Sequence, residues 1–287
     1  MKNFFVITNT TKDPDLSVTR SVMNYLASRS CSCEYGEVSR KNEGGGYFCL
    51  DPDQIPDDTD CFIVLGGDGT LIHAATDTIV RQIPLLGINL GTLGYLAEVD
   101  RQSVYPALDH LVRDEFQVER RMTLGGTIYH EGKPIDSEIA LNDVVIRTAV
   151  PYGTIDVKNF VNNLYLNSYK ADGIIISTPT GSTGYTLSVG GPIIAPSSNL
   201  FVMTPLAAHE LNTRSIVLRD DDRISVLIGT GRDNEMENAA AYFDGGKGVS
   251  MTTGDRIDIY RGERDALLIR LNNDSFLERL SRKINNF

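Results

Sequence analysis

Tryptophan is absent from this 287-residue chain, and histidine and cysteine occur only four times each. That leaves little material for a structural metal site: Cys31-Ser32-Cys33 is followed by no second pair and no histidine at zinc-site spacing, and Cys49 and Cys61 stand alone. Positive charge is scarce too, with 27 Lys and Arg against 38 Asp and Glu and a formal net charge of −11. The summed field repels phosphate backbones, which excludes nucleic acid as a partner. An anionic ligand must therefore be held by something local: backbone N–H groups in a glycine turn, a helix N-terminus or a bound divalent cation. Long apolar runs are missing as well. No segment approaches a bilayer span, and the opening Met1-Lys2-Asn3-Phe4-Phe5-Val6-Ile7 is too short for a signal-peptide core, so no membrane association and a cytoplasmic location are expected.

What is there follows two grammars. Residues 2–8 are a compact β-rich run, followed after a polar turn by an amphipathic stretch over 16–28, which predicts strand, loop, helix. Gly44-Gly45-Gly46 and the acidic, proline-bearing stretch 51–60 read as a connector. A buried strand is predicted over 61–65, a helix from Thr70 to Arg81, a strand over 83–89 and a helix over 104–113. Such alternation calls for a parallel sheet. From Gln117 short alternating β segments take over, at 124–129, 143–147, 154–161, 173–177, 215–218, 223–228 and 240–243. The tail over 274–284 has helical spacing, with Asp274 as N-cap.

Three segments carry chemistry. Leu65-Gly66-Gly67-Asp68-Gly69-Thr70 is a glycine turn between a buried strand and a helix, the place where ligands of α/β sheets gather. Gly66, Gly67, Gly69 and Thr70 suit a phosphate, and Asp68 puts a carboxylate beside it, able to ligate Mg²⁺ or to accept a proton from an attacking hydroxyl. No Gly-Lys-Ser/Thr follows, so this is not a P-loop. In Ala140-Leu141-Asn142-Asp143-Val144-Val145-Ile146 two polar side chains interrupt an apolar strand; alternation sends them to opposite faces, unless the pair is a self-capping turn. The third segment, residues 172–185, runs from an apolar strand into Thr178-Pro179-Thr180-Gly181-Ser182-Thr183-Gly184-Tyr185. That loop is dense in hydroxyls suited to a ribose or purine edge, with Tyr185 as a stacking platform.

These blocks, with Gly87-Ile88-Asn89-Leu90-Gly91-Thr92-Leu93-Gly94-Tyr95-Leu96, occur in the order found in NAD kinases, and the chain resembles the ATP/polyphosphate-NAD kinase family over residues 61–192. The resemblance implies an α/β plus all-β fold: a Rossmann-like domain over 1–116, a β-sandwich NAD-binding domain over 117–262, and a C-terminal segment over 263–287 whose helix returns to the first domain. It implies an NAD⁺ kinase that phosphorylates the 2′-hydroxyl of NAD's adenosine ribose to form NADP. The donor would be ATP or polyphosphate, and Mg²⁺ or Mn²⁺ the divalent cation. Asp68 would be the catalytic carboxylate. Asp68, Gly69, Asn142, Asp143, Lys170, Asp172, Thr183, Gly184, Tyr185, Thr186, Leu187, Ser188 and Ala207 would contact NAD. No protein side chain is assigned to the metal. A homodimer or homotetramer is implied, one subunit often completing another's NAD site.

The chain departs from the family pattern at three positions. Gly184 replaces a usual alanine, Lys170 a frequent arginine with loss of bidentate geometry, and Gly246 a frequent polar side chain. A lipid or sugar kinase would share the Gly-Gly-Asp-Gly element but not the later blocks; a dinucleotide sensor without turnover would not need Asp68. His73 reads as a packing residue, His209 as ordering a loop, and Asp220-Asp221-Asp222 as a solvated turn.

Overall fold

A computed structural model describes residues 1–38, 50, 52–91, 94–151, 153–209, 213–231, 234–271 and 276–284. The triple glycine, Cys49, Asp51, Thr92, Leu93 and Asp274 lie outside the described residues.

The chain forms two compact units, 1–121 with 264–287, and 122–263. The first contains β1 (Asn3–Asn9), α1 (Ser17–Ser28), β2 (Ser32–Val38), β3 (Cys61–Gly66), α2 (Asp68–Asp77), β4 (Leu85–Asn89), β5 (Val99–Asp100), α3 (Val104–Val112) and β6 (Gln117–Arg121). The second contains β7 (Leu124–His130), β8 (Lys133–Ala140), β9 (Asp143–Thr148), β10 (Ile155–Val161), β11 (Leu164–Ala171), β12 (Gly173–Ser177), the short α4 (Tyr185–Ser188), β13 (Leu200–Leu206), β14 (Ile216–Arg219), β15 (Ile224–Ile228), β16 (Asn238–Phe243), β17 (Val249–Thr252) and β18 (Arg256–Arg261). The chain then returns to the first unit as β19 (Ala266–Arg270) and α5 (Phe276–Ile284). No helix among the described residues is long and apolar enough to cross a membrane.

The first unit is an α/β sheet of order β2-β1-β3-β4-β19-β6, with β5 beside β4. Its strands are parallel except at β6, which runs antiparallel to β19. Every residue of β3 and β4 is buried, because helices cover both faces and a strand buried on both faces reads as an unbroken apolar run. On one face Phe4, Val6, Ile63, Leu86 and Ile88 pack with Val22 and Leu26 of α1 and Leu108 of α3. On the other, Gly87 lets Leu71 of α2 approach: a Cβ there would lie 2.8 Å from Leu71 Cδ2. The β pattern that starts at Gln117 thus first completes this sheet, and the sandwich begins only after Arg121. β19 was not expected from the sequence; five residues of β character beside charged turns carry no sign of which sheet they join.

Glu119, in β6, accepts hydrogen bonds from Arg121 (2.9 Å) and Arg270 (2.6 Å). Burial opposes its charge, but the two guanidinium groups overcome this and hold the carboxyl at about 2, against an ordinary 4.5. The second unit is a β-sandwich: sheets of order β11-β10-β15-β18-β7-β8 and β14-β13-β12-β9-β16-β17 share one core in which Leu124, Ile128, Ile257 and Ile259 of the first meet Val144, Ile146, Ile174, Ile176 and Phe243 of the second.

A carboxyl held low in the folded state contributes stability above its unfolded value, and that contribution is lost as pH falls toward the folded one. Thermal melts of Glu119→Gln are expected to show a lower Tm than the parent at pH 7 and a shallower decline between pH 4.5 and 2. Parallel pH curves would show that Glu119 is not held by its arginines.

Candidate functional site

In the first unit the turn from β3 into α2 is built by close packing. A Cβ on Gly66 would lie 2.4 Å from Thr70 Oγ1, so only glycine lets the helix start there, whereas a Cβ on Gly67 or Gly69 would meet nothing within 4 Å. The backbone at those two positions is bare, as close approach of a ligand requires. Asp68, half-buried at the first position of α2, does not cap its own helix. Its Oδ2 accepts the N–H of Tyr95 at 2.6 Å, and its Oδ1 those of Leu96 and Ala97 at 3.2 and 3.1 Å. A carboxylate has roughly four lone-pair positions. Among the described residues three are taken, and the one left is on Oδ2. Gly94 fits under the carboxylate with no room to spare, since a Cβ there would lie 2.0 Å from both oxygens.

In the second unit Asn142 precedes β9, so strand alternation does not apply to it, and it lines the same cavity as Asp143, the first strand residue. This cavity, about 370 Å³, is also lined by Val145, Arg147, Tyr185, Tyr242, Asp244 and Gly245. Asp143, Val145 and Arg147 share one face of β9 by alternation, and Val144 and Ile146 point into the core. Asp244 takes a left-handed backbone, φ +49°. Its carboxylate accepts the N–H groups of Leu141 (2.6 Å), Asn142 (2.7 Å) and Asp143 (3.1 Å). Burial and the charge of Asp244 push the Asp143 carboxyl upward, and burial pushes Asp244 up against the pull of its three donors. With those donors Asp244 is the member that carries the charge, and Asp143 the one that keeps the proton. Asn142 Oδ1 is buried with no partner among the described residues.

The hydroxyls of the 178–188 loop point the other way from the sequence expectation. Thr178 donates to Leu141 O (2.6 Å), Ser182 to Pro179 O (2.7 Å), Thr183 to Thr180 O (3.2 Å) and Thr186 to Ser177 Oγ (2.9 Å). They hold the loop against the Asn142 backbone, where a Cβ on Gly181 would lie 2.1 Å from Asn142 O. What the loop offers outward is backbone, the exposed Tyr185 and Ser188, and half-buried Leu187. A Cβ on Gly184 would lie 3.2 Å from Gly181 O and 3.5 Å from Asn142 Nδ2, so the alanine usual in the family would sit in close contact there. Lys170, Asp172 and Ala207 form a separate group, joined through the bonds His209 N–H to Lys170 O and Asp172 N–H to Leu206 O, both 2.9 Å. None of the three lines the cavity.

Family models match on both halves of the chain, the ATP-NAD kinase N-terminal domain over residues 23–116 and the ATP-NAD kinase C-terminal domain over 141–271. The chain is 42% identical to the NAD kinase of Lachnospira eligens, covering 99% of this chain and 100% of that one, and 40% identical to the NAD kinase of Agathobacter rectalis, covering both in full. The chain belongs to the NAD kinase family. Its fold is also that of yeast NADH kinase, solved with NADH (TM-score 0.84, 20% identity, 99% of this chain and 88% of that one), and of an NAD kinase from Archaeoglobus fulgidus, solved with ATP (TM-score 0.76, 22% identity, 99% of each).

Four residues that the sequence did not single out for the site stand out in this family member. Arg147, Tyr242 and Asp244 line the cavity. Gly94 was visible only as part of a motif; its role under Asp68 depends on the fold-back that brings Tyr95, 27 residues on, to the carboxylate. Asp244 carries no sequence signal of its role as acceptor for the Asn142-Asp143 backbone, a hundred residues away. The minor readings look as follows: His73 is half-buried and burial lowers its pKa, the backbone of His209 ties a loop to β11, and Asp220 and Asp222 engage Arg261 and Asn162 around a turn. Glu210 lies outside the described residues.

Gly94→Ala is expected to force Asp68 off its three donors, with about a tenfold or larger loss of turnover in a protein that still folds. Turnover equal to the parent's would mean that the 94–97 segment shifts freely and does not hold the carboxylate.

Proposed function

We infer that this protein is an NAD kinase that transfers a phosphoryl group from ATP to the 2′-hydroxyl of NAD's adenosine ribose and releases NADP. The observation that carries the mechanism is the carboxylate of Asp68, fixed by Tyr95, Leu96 and Ala97 with one acceptor position left on Oδ2. Positioned there, Oδ2 takes the proton of the attacking hydroxyl as its oxygen bonds to the γ-phosphorus and the bond from that phosphorus to the β–γ bridging oxygen breaks, releasing ADP; the bare backbone of Gly67 and Gly69 and the start of α2 receive the donor's phosphates. NAD is held in the second unit. Asn142 offers an unused acceptor, Asp143 a proton donor and Tyr185 an aromatic face, while Thr183, Gly184, Thr186, Leu187 and Ser188 form the wall of the loop.

Phosphoryl transfer is mostly positioning and charge neutralisation. No group of three or more His, Cys, Asp or Glu among the described residues could hold a metal ion, so a divalent cation fits this protein as one carried by the donor's phosphate oxygens and water, the usual setting for Mg²⁺. It would neutralise charge on the transferring group. Lys170, Asp172 and Ala207, away from the cavity, together with the exposed Leu164 and Tyr165 of β11, support a homodimer or homotetramer in which one chain completes the site of another. The cytoplasmic location rests on the sequence reading alone.

Asp68→Asn is expected to reduce NADP formation from NAD, ATP and Mg²⁺ by about a hundredfold or more while NAD binding persists. Polyphosphate assayed in parallel fixes the donor range. A folded, NAD-binding protein that makes no NADP from any donor would leave a dinucleotide sensor as the better reading.

A further inference from the structure

The first unit's strand order β2-β1-β3-β4 reverses direction between β1 and β3. In open α/β sheets ligands bind outside the carboxyl ends of the strands at such a reversal. The residues there are 9–12 after β1 and 66–68 after β3, with 89–91 after β4 alongside. Leu90 N–H donates to Gly66 O at 2.8 Å, and Asn9 Nδ2 donates to Thr70 Oγ1 at 2.9 Å, so the three strand ends are tied together.

Of the two helices that follow β1 and β3, only α2 has an open start among the described residues. The N-terminus of α1 is closed by Asp13, whose Oδ2 accepts the N–H and hydroxyl of Thr19 at 2.9 and 2.7 Å and whose Oδ1 accepts the N–H of Val18 at 3.2 Å. The ten-residue α2 has Gly67 as N-cap and no side-chain cap. Next to it Asn89, 4% exposed, accepts the N–H of Gly91 at 3.0 Å on Oδ1. That bond fixes the amide's orientation and leaves Nδ2 as a buried donor with no partner among the described residues. Over the same turn stands Lys12: a Cβ on Gly91 would lie 3.6 Å from its Nζ and 3.9 Å from Asn89 Oδ1. Lys12 is exposed and makes no ion pair among the described residues; the adjacent Asp13 is spent on α1.

We propose that Lys12 and Asn89, with the backbone of Gly67 and Gly69, form the cradle for the oligophosphate tail of the phosphoryl donor. It rests on the kinase reading and assigns the donor's binding to residues that the glycine turn alone does not include. The chemistry is specific to an anion: a mobile ammonium as a point charge, an amide donor without an acceptor, and an uncapped helix start. In a chain of net charge −11, Lys12 also supplies positive charge where the phosphates collect.

Lys12 is exposed, so Lys12→Met and Lys12→Arg are expected to fold as the parent does, checked by thermal melting. In the full chain Lys12→Met is expected to raise the KM for ATP about tenfold and leave the KM for NAD in place, with Lys12→Arg recovering most of the loss. Calorimetric titration with inorganic triphosphate should weaken in parallel, since the cradle reads the tail and not the base. An unchanged KM for ATP in Lys12→Met, with the parent forming NADP, overturns the cradle and leaves the kinase reading standing. A parent that forms no NADP sinks the kinase reading; equal affinity of parent and Lys12→Met for inorganic triphosphate then overturns the cradle as well.

Discussion

Parallel pairing of β1, β3 and β4 is the constraint on which the first unit depends. Parallel strands cannot be joined by tight hairpins, so each connection crosses a face of the sheet and every strand ends at the same edge. Three chain reversals therefore meet there, at residues 9–12, 66–68 and 89–91. They are tied to one another directly: Asn9 Nδ2 donates to Thr70 Oγ1, 61 residues further on, and Leu90 N–H donates to Gly66 O. The fold brings the bare backbone of Gly67 and Gly69 and the carboxylate of Asp68 to the same edge of the sheet as the Lys12 ammonium beside Gly91.

A carboxylate placed at that edge must be held without being spent. Asp68 is held by the N–H groups of residues 95–97, and that segment is anchored in turn: Arg270 donates to Leu96 O at 3.2 Å and lies 3.7 Å from Glu98. Arg270 belongs to β19, from the end of the chain, and is braced by Glu119 of β6. The path from β19 to the Asp68 carboxylate is thus short, running through Arg270, Leu96 and the N–H groups of residues 95–97.

The second unit solves a different problem, the exposure of polar recognition groups on a sandwich whose strands are needed for the core. One face of β9 and β16 is committed to packing, through Val144, Ile146 and Phe243; the other is free to line a cavity with Asp143, Arg147, Tyr242 and Asp244. Burial raises both carboxyls and the charge of Asp244 raises Asp143 further, while the three backbone donors favour the charge on Asp244. The hydroxyl-rich loop then serves as scaffold, using its side chains to fix its own backbone beside Asn142.

The division of elements was legible because periodicity reports burial directly. Continuous apolar runs at β3 and β4 gave parallel strands, 3.6-residue spacing gave α1 and α3, and alternation after Gln117 gave strands. Glycine spacing and the polar breaks at Asp68 and Asn142-Asp143 marked the candidate site and carried the family resemblance. The direction of the loop hydroxyls was not legible, because composition records what can hydrogen-bond but not to whom. Nor was the membership of β6 and β19 in the first sheet, or the charge relation of Asp143 to Asp244, since strand partners and buried charge pairs are set by contacts a hundred or more residues apart. The sequence by itself marked the strands and helices whose periodicity is strong and the residue types that could do the chemistry. Tertiary structure alone decided which oxygen of Asp68 stays open and that the Lys12 ammonium stands beside Gly91, because both depend on backbone donors and neighbours that only folding brings within reach.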